Sequence, residues 1–112
     1  MDRLTKNKKL VREVFEEILN YMPDDSAIEL LPIVDEKTGH FLIYSDGWQG
    51  TYRDYACFFH IQVMPDGMVY LRHDGTSLEV ANELVKKGIP KEEILLAFHA
   101  PYKRPLSGFA VV

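Results

Sequence analysis

The order of apolar and polar positions divides the chain into a helix, four strands, a second helix and one or two closing strands. Leu10, Val11, Val14, Phe15, Ile18, Leu19 and Met22 recur at the spacing of one helix face. Pro23 disfavours helical geometry at Met22 and ends the run, and Asp24-Asp25-Ser26 reads as a polar turn. Residues 27–34 are rich in Ile, Leu and Val and read as a strand. Pro32 has no N–H for a ladder, which places this strand at a sheet edge. Glu36-Lys37-Thr38-Gly39 makes a turn, 40–45 a second strand, and Asp46-Gly47-Trp48-Gln49-Gly50 a glycine-flanked connection. A third, long strand runs over about 51–64.

Pro65-Asp66-Gly67 fits a type I turn closed by a left-handed glycine. That three-residue loop sets Met64 opposite Met68. It predicts Val63 across from Val69, Ile61 from Leu71 and Phe59 from His73, all on one apolar face. The other face carries Phe58, His60, Gln62, Met64, Met68, Tyr70 and Arg72. A slip of one residue would mix the two faces.

Thr76 and Glu79 have capping-box spacing for the second helix. Leu78, Ala81, Leu84 and Val85 form its apolar stripe, and Gly88 suits its end. Residues 94–98 read as a strand, and 109–112 as a short last one. Between them Pro101 and Pro105 bar regular pairing. The expected fold is α+β: a mainly antiparallel sheet of five to six strands, an N-terminal helix, and a second helix after the fourth strand.

The chain has 112 residues, 46% of them hydrophobic and 27% charged, which suits one domain over 1–112. A chain of this length buries roughly 65% of its unfolded surface without staples. The lone Cys57 excludes an intrachain disulfide and reads as a small buried hydrophobe. The N-terminus lacks the apolar core of a signal peptide and no apolar run is long enough to span a membrane. The cytoplasm is the expected compartment. The formal net charge of −4 means that contact with nucleic acid would need a local basic patch.

Four histidines raise the question of a metal. The expected register sends His60 and His73 to opposite faces, His40 and His99 lie in other segments, and no His-x-x-x-His or Cys-x-x-Cys occurs, so neither metal nor cofactor is expected. Arg72, His73, Asp74, Gly75 and Thr76 form the densest polar cluster. His73 beside Asp74 has the composition of a base held by a carboxylate. Neighbours on an extended chain point to opposite sides, and no nucleophile elbow or phosphate loop accompanies them. The cluster, with His99, is left without an assigned role. The first helix begins with Arg3, Lys6, Lys8, Lys9 and Arg12, against the sense of the helix dipole. It is either a solvated face or a functional one, and Lys9–Glu13 and Arg12–Glu16 have the spacing of pairs. Lys103 and Arg104 either bind an acidic partner or are simply exposed. The face with Phe58, Met64, Met68 and Tyr70 is too apolar to stay bare, so a helix covers it or self-association, as a homodimer, does.

At these same residues the sequence resembles the XisI family, the excision controlling factors of the fdxN element. The likeness rests on Gly47-Trp48, on Tyr55-Ala56-Cys57 leading to His60, and on His73-Asp74-Gly75-Thr76. It continues through the 81–85 and 88–94 segments, Phe98-His99, Pro101 to Arg104, and Phe109-Ala110-Val111. Departures are Ala56 and Ala100, where Gly and Pro are expected, and Gln62 and Arg72, where Asp and Gln are usual. The resemblance implies a non-catalytic accessory protein, cyanobacterial in type. It would act with an XisH-type, endonuclease-like partner in DNA excision by a recombinase, without an established catalytic residue or cofactor. Trp48, Lys103 and Arg104 are the expected partner surface, and DNA contact is expected to be weak or indirect. The alternatives are an antitoxin-like inhibitor of that partner, a small enzyme using His73 and Asp74, and direct DNA binding.

Overall fold

The computed structural model describes residues 2–22 and 27–111. The helix stop expected at Pro23, the turn over 24–26 and Val112 lie outside them. Helix α1 spans Arg3–Tyr21. Asp2 caps it by accepting from the Thr5 N–H at 2.8 Å. Its apolar stripe buries Val11, Val14, Phe15 and Ile18. Strands β1 (Ile28–Asp35), β2 (His40–Gln49), β3 (Tyr52–Val63) and β4 (Val69–Asp74) follow, then α2 (Val80–Lys87) and β5 (Ile94–Leu96). The sheet order is β1-β2-β3-β4-β5, with β1 at the edge as Pro32 requires. The first three ladders are antiparallel, and β4 and β5 are parallel because α2 carries the chain back across the sheet.

One sheet face is the core. Phe41, Ile43, Phe59, Ile61, Val69 and Leu71 point inward and meet both helices, with Phe15 packed against the rings of Phe41 and Phe59. Each such side chain stabilises by about 1.5–3 kcal/mol on burial. A charge at Leu84, which is fully buried, would detach α2 from this core.

The structure corrects several local expectations. The connection expected over 46–50 is paired strand: β2 runs to Gln49, Gln49 faces Tyr52, and Gly50-Thr51 is a two-residue turn. Cross-strand contacts hold this arm, since Arg53 donates to Asp46 at 2.5 Å and lies over the rings of Trp48 and Tyr55. The Thr76–Glu79 capping box does not form. Glu79 adopts a left-handed φ of 52°, and Asp74 reaches forward to accept from the Val80 N–H at 3.1 Å. The close of α2 is as expected: Gly88, at φ 117°, and Ile89 return bonds to the Val85 and Leu84 carbonyls. Strand β5 stops at Leu96, residues 101–106 form a 3-10 helix, and in place of a last strand one bond joins the Ala110 N–H to the Ile94 carbonyl.

The basic start of α1 ties elements together rather than forming pairs along its own surface. Arg3 donates to the Asp66 carbonyl, Lys6 to Gly88, Lys8 to Glu36, and Arg12 pairs with the Glu36 carboxylate. Glu17 pairs with Lys87 of α2. These contacts, rather than the expected Lys9–Glu13 and Arg12–Glu16 pairs, compensate the unfavourable placement against the dipole.

Candidate functional site

The β3–β4 hairpin keeps the expected register near its turn, with Val63 across from Val69 and Ile61 from Leu71. Beyond that Arg72 is an extra residue, so His60 faces His73 and Phe59 faces Asp74. This overturns the expected Phe59–His73 pair. Residues directly opposed in a ladder share a face, so His60 and His73 lie together on the outer face and not on opposite ones. A second bulge, between Ile43 and Tyr44 on the β2 side, leaves Phe58 without a partner. Its ring packs against the core cluster, which corrects its placement on the outer face. Gly75 fits this crossing. Its N–H donates to the Phe58 carbonyl at 2.8 Å, and a Cβ there would stand 2.5 Å from that oxygen.

The β2–β3 register brings in a residue that the sequence did not group with these. His40 faces Gln62, one step along from His60, and its Nδ1 lies 2.8 Å from the His60 Nε2. One ring must donate and the other accept, so the bond excludes protonation of both. Burial and the charges of His40, Arg72 and His73 hold His60 below the ordinary histidine pKa. Arg72 donates twice to the Gln62 Oε1, at 3.0 and 2.7 Å, and lies over the Tyr70 ring. Gln62 in turn donates to the Thr38 carbonyl. His40, His60, Gln62, Tyr70 and Arg72 thus form a half-buried polar network across three strands, with His73 exposed at its rim. Among the described residues no group of three or more His, Cys, Asp or Glu side chains is placed to hold a metal.

The other expected site residues are dispersed. Asp74 does not hold His73. Its Oδ1 accepts from the Thr76 N–H and hydroxyl at 2.9 and 2.6 Å, and its Oδ2 from Val80. His99 stacks edge-on against Phe98 and lines a separate hollow with Tyr102, Lys103 and Leu106. Lys103 is exposed, whereas Arg104 turns inward and donates to the Ala97 carbonyl at 3.5 Å. Trp48 is 57% exposed on the β2–β3 arm, beside Arg53 and Tyr55. Met64, Met68 and Tyr70 are half-buried.

Around the network the outer face carries Leu31, Ile33, Leu42, Tyr44 and Cys57, while both helices pack on the opposite side. No helix is long and apolar enough to cross a membrane. Fold and surface together define a small α+β domain with one covered sheet face and one open face. Among curated proteins none matches it. The chain belongs to the XisI family, whose model, described as XisI protein, matches residues 1–111. It is similar to a crystallised XisI-like protein of Anabaena variabilis, at 33% identity and a TM-score of 0.87, over 97% of this chain and 99% of that one. It is also similar to the fdxN element excision controlling factor XisI of Anabaena variabilis, at 31% identity and a TM-score of 0.80, over 99% and 100%.

Proposed function

We propose that this chain is an accessory factor in the controlled excision of a DNA element and that it acts by binding an XisH-type partner. The observation that carries the reading is its likeness, over 99% of its length, to a protein described as an excision controlling factor. The geometry agrees with a binding role. The carboxylate nearest to His73 in sequence is occupied by a turn and a helix cap, and the outward features are apolar and aromatic. Partner contact is assigned to the arm bearing Trp48 and to Lys103. Arg104 supports the loop behind Lys103 rather than facing the partner, because its guanidinium is turned to Ala97.

The test is co-expression with the neighbouring XisH-type protein, followed by capture, and an excision reporter scored with and without this chain. Co-purification that Trp48→Ala with Lys103→Ala weakens, and excision that requires the chain, are the expected results. Excision at full rate without the chain overturns the reading. Toxicity of the partner expressed alone, relieved by this chain with no effect on excision, replaces it with an antitoxin-like role.

A further inference from the structure

We propose that the helix-free sheet face is an isologous interface, on which two copies pack face to face about a two-fold axis parallel to the strands. The occupant follows from how charge is laid out on that face. Its centre, on β2 and β3, carries Leu42, Tyr44 and Cys57, flanked by Leu31 and Ile33 of β1, beside the hydrogen-bonded His40, His60 and Gln62 and the internally paired Asp46 and Arg53. Its two sides differ in sign. On β1, Asp35 faces His40 in the ladder and so shares the outer face. On β4, Arg72 and His73 stand at the bulge. Neither Asp35 nor Arg72 enters an ion pair with another side chain among the described residues.

Symmetry then selects the arrangement. An axis between β2 and β3 and parallel to them lays β1 of one copy over β4 of the other. The acidic side meets the basic side twice, and Leu42 and Tyr44 fill the middle. An in-plane axis across the strands would lay β1 on β1 and β4 on β4 with the strand direction reversed. That brings acid on acid and base on base where it passes at the level of Asp35 and Arg72, and elsewhere leaves the two charges without opposite partners. Two sheets packed in the first way stand about 10 Å apart at an angle of roughly 30°. A stable interface needs about 1,200–2,000 Å² in total, a size that four strands of this face can supply. A different protein as occupant has no reason to require opposite charges placed symmetrically about the central strands. A second copy does. The surface differs from the one expected from sequence, since Phe58 is turned into the core and the centre moves to β1 and β2.

The inference is independent of any role in excision and is tested on the full chain alone by sedimentation equilibrium. The wild type is expected to dimerise and Leu42→Asp to be monomeric, with thermal unfolding as the check on folding. Asp35→Asn keeps the acceptor for the Lys37 and Thr38 N–H groups while removing the charge. This change and Arg72→Gln should each weaken the dimer about tenfold, and the double variant should be no weaker than either single. A wild type that stays monomeric at high protein concentration overturns the proposal and leaves the face to another protein. Dimerisation untouched by a folded Leu42→Asp, or strictly additive charge effects in the cycle, overturns it as well.

Discussion

The Nδ1 of His40 lies 2.8 Å from the Nε2 of His60, although the two residues belong to different strands and stand twenty positions apart. The contact depends on the β2–β3 ladder and its bulge, and it makes the outer face sensitive to protonation. Asp35 shares this face beside His40, while Arg72 and His73 face His60 from β4.

Stability should depend on pH through His60. Burial first, then His40, Arg72 and His73, keep its folded pKa below that of an unfolded histidine. As pH falls through about 6.5, the unfolded chain takes up a proton that the folded chain refuses. The stability present above that pH is therefore lost as it falls toward the lowered folded value. Thermal unfolding followed between about pH 7.5 and 5.5 should show a falling midpoint, with a shallower slope in His60→Gln. An identical slope in the variant would remove His60 as the cause.

Asp74 is expected to act as a structural carboxylate. It accepts three bonds from Thr76 and Val80, and Asp74→Ala frees the N–H groups at the start of α2. A loss of about 1–2 kcal/mol is expected, as for helix caps generally. Urea unfolding measures it. A neutral result would reopen the possibility that Asp74 is retained for chemistry.

Asn7 is fully buried on α1. Its side-chain N–H groups donate to the Gly67 carbonyl at 2.8 Å and to Glu93 at 3.0 Å. It thereby joins the helix to the β3–β4 turn and to the segment before β5. Asn7→Ala leaves the Gly67 carbonyl buried without that donor, at a cost of about 1–3 kcal/mol. Amide exchange should show the turn at residues 65–68 opening more readily in the variant. Unchanged protection there would refute the latch.

Duplex DNA should bind this chain alone weakly, with a dissociation constant no tighter than about 10⁻⁶ M at physiological salt. Arg12 is paired with the Glu36 carboxylate, whereas Arg3, Lys6 and Lys8 bond only to neutral carbonyls and keep their charge, so these three and Lys9 should carry the salt dependence of any weak contact. Fluorescence anisotropy tests this, and nanomolar binding would contradict it.

Periodicity, proline placement and turn chemistry determined the helices, the edge position of β1 and the turn at Pro65-Asp66-Gly67, because each depends on residues close together in the chain. Period 3.6 shows which stripe of α1 is buried. A proline lacking an N–H excludes a central strand, and the left-handed glycine sets the pairs nearest the turn. The family, too, was legible in the order of short motifs.

The candidate site was not legible, because it depends on how far strands run and where a residue is inserted. Reading Asp46 to Gly50 as a loop hid the two-residue turn that, together with the bulge at Phe58, aligns His40 with Gln62, and nothing local marks Arg72 as a bulge. Each bulge changes which side chains share a face: the extra Arg72 on β4 joins His60 to His73, and the extra Phe58 on β3 turns that ring inward. Asp74 likewise resembles a catalytic neighbour of His73 until the start of α2 arrives to take up its oxygens. Only the packed sheet decided these relationships, because alternation along a strand reports a face only where the ladder is unbroken.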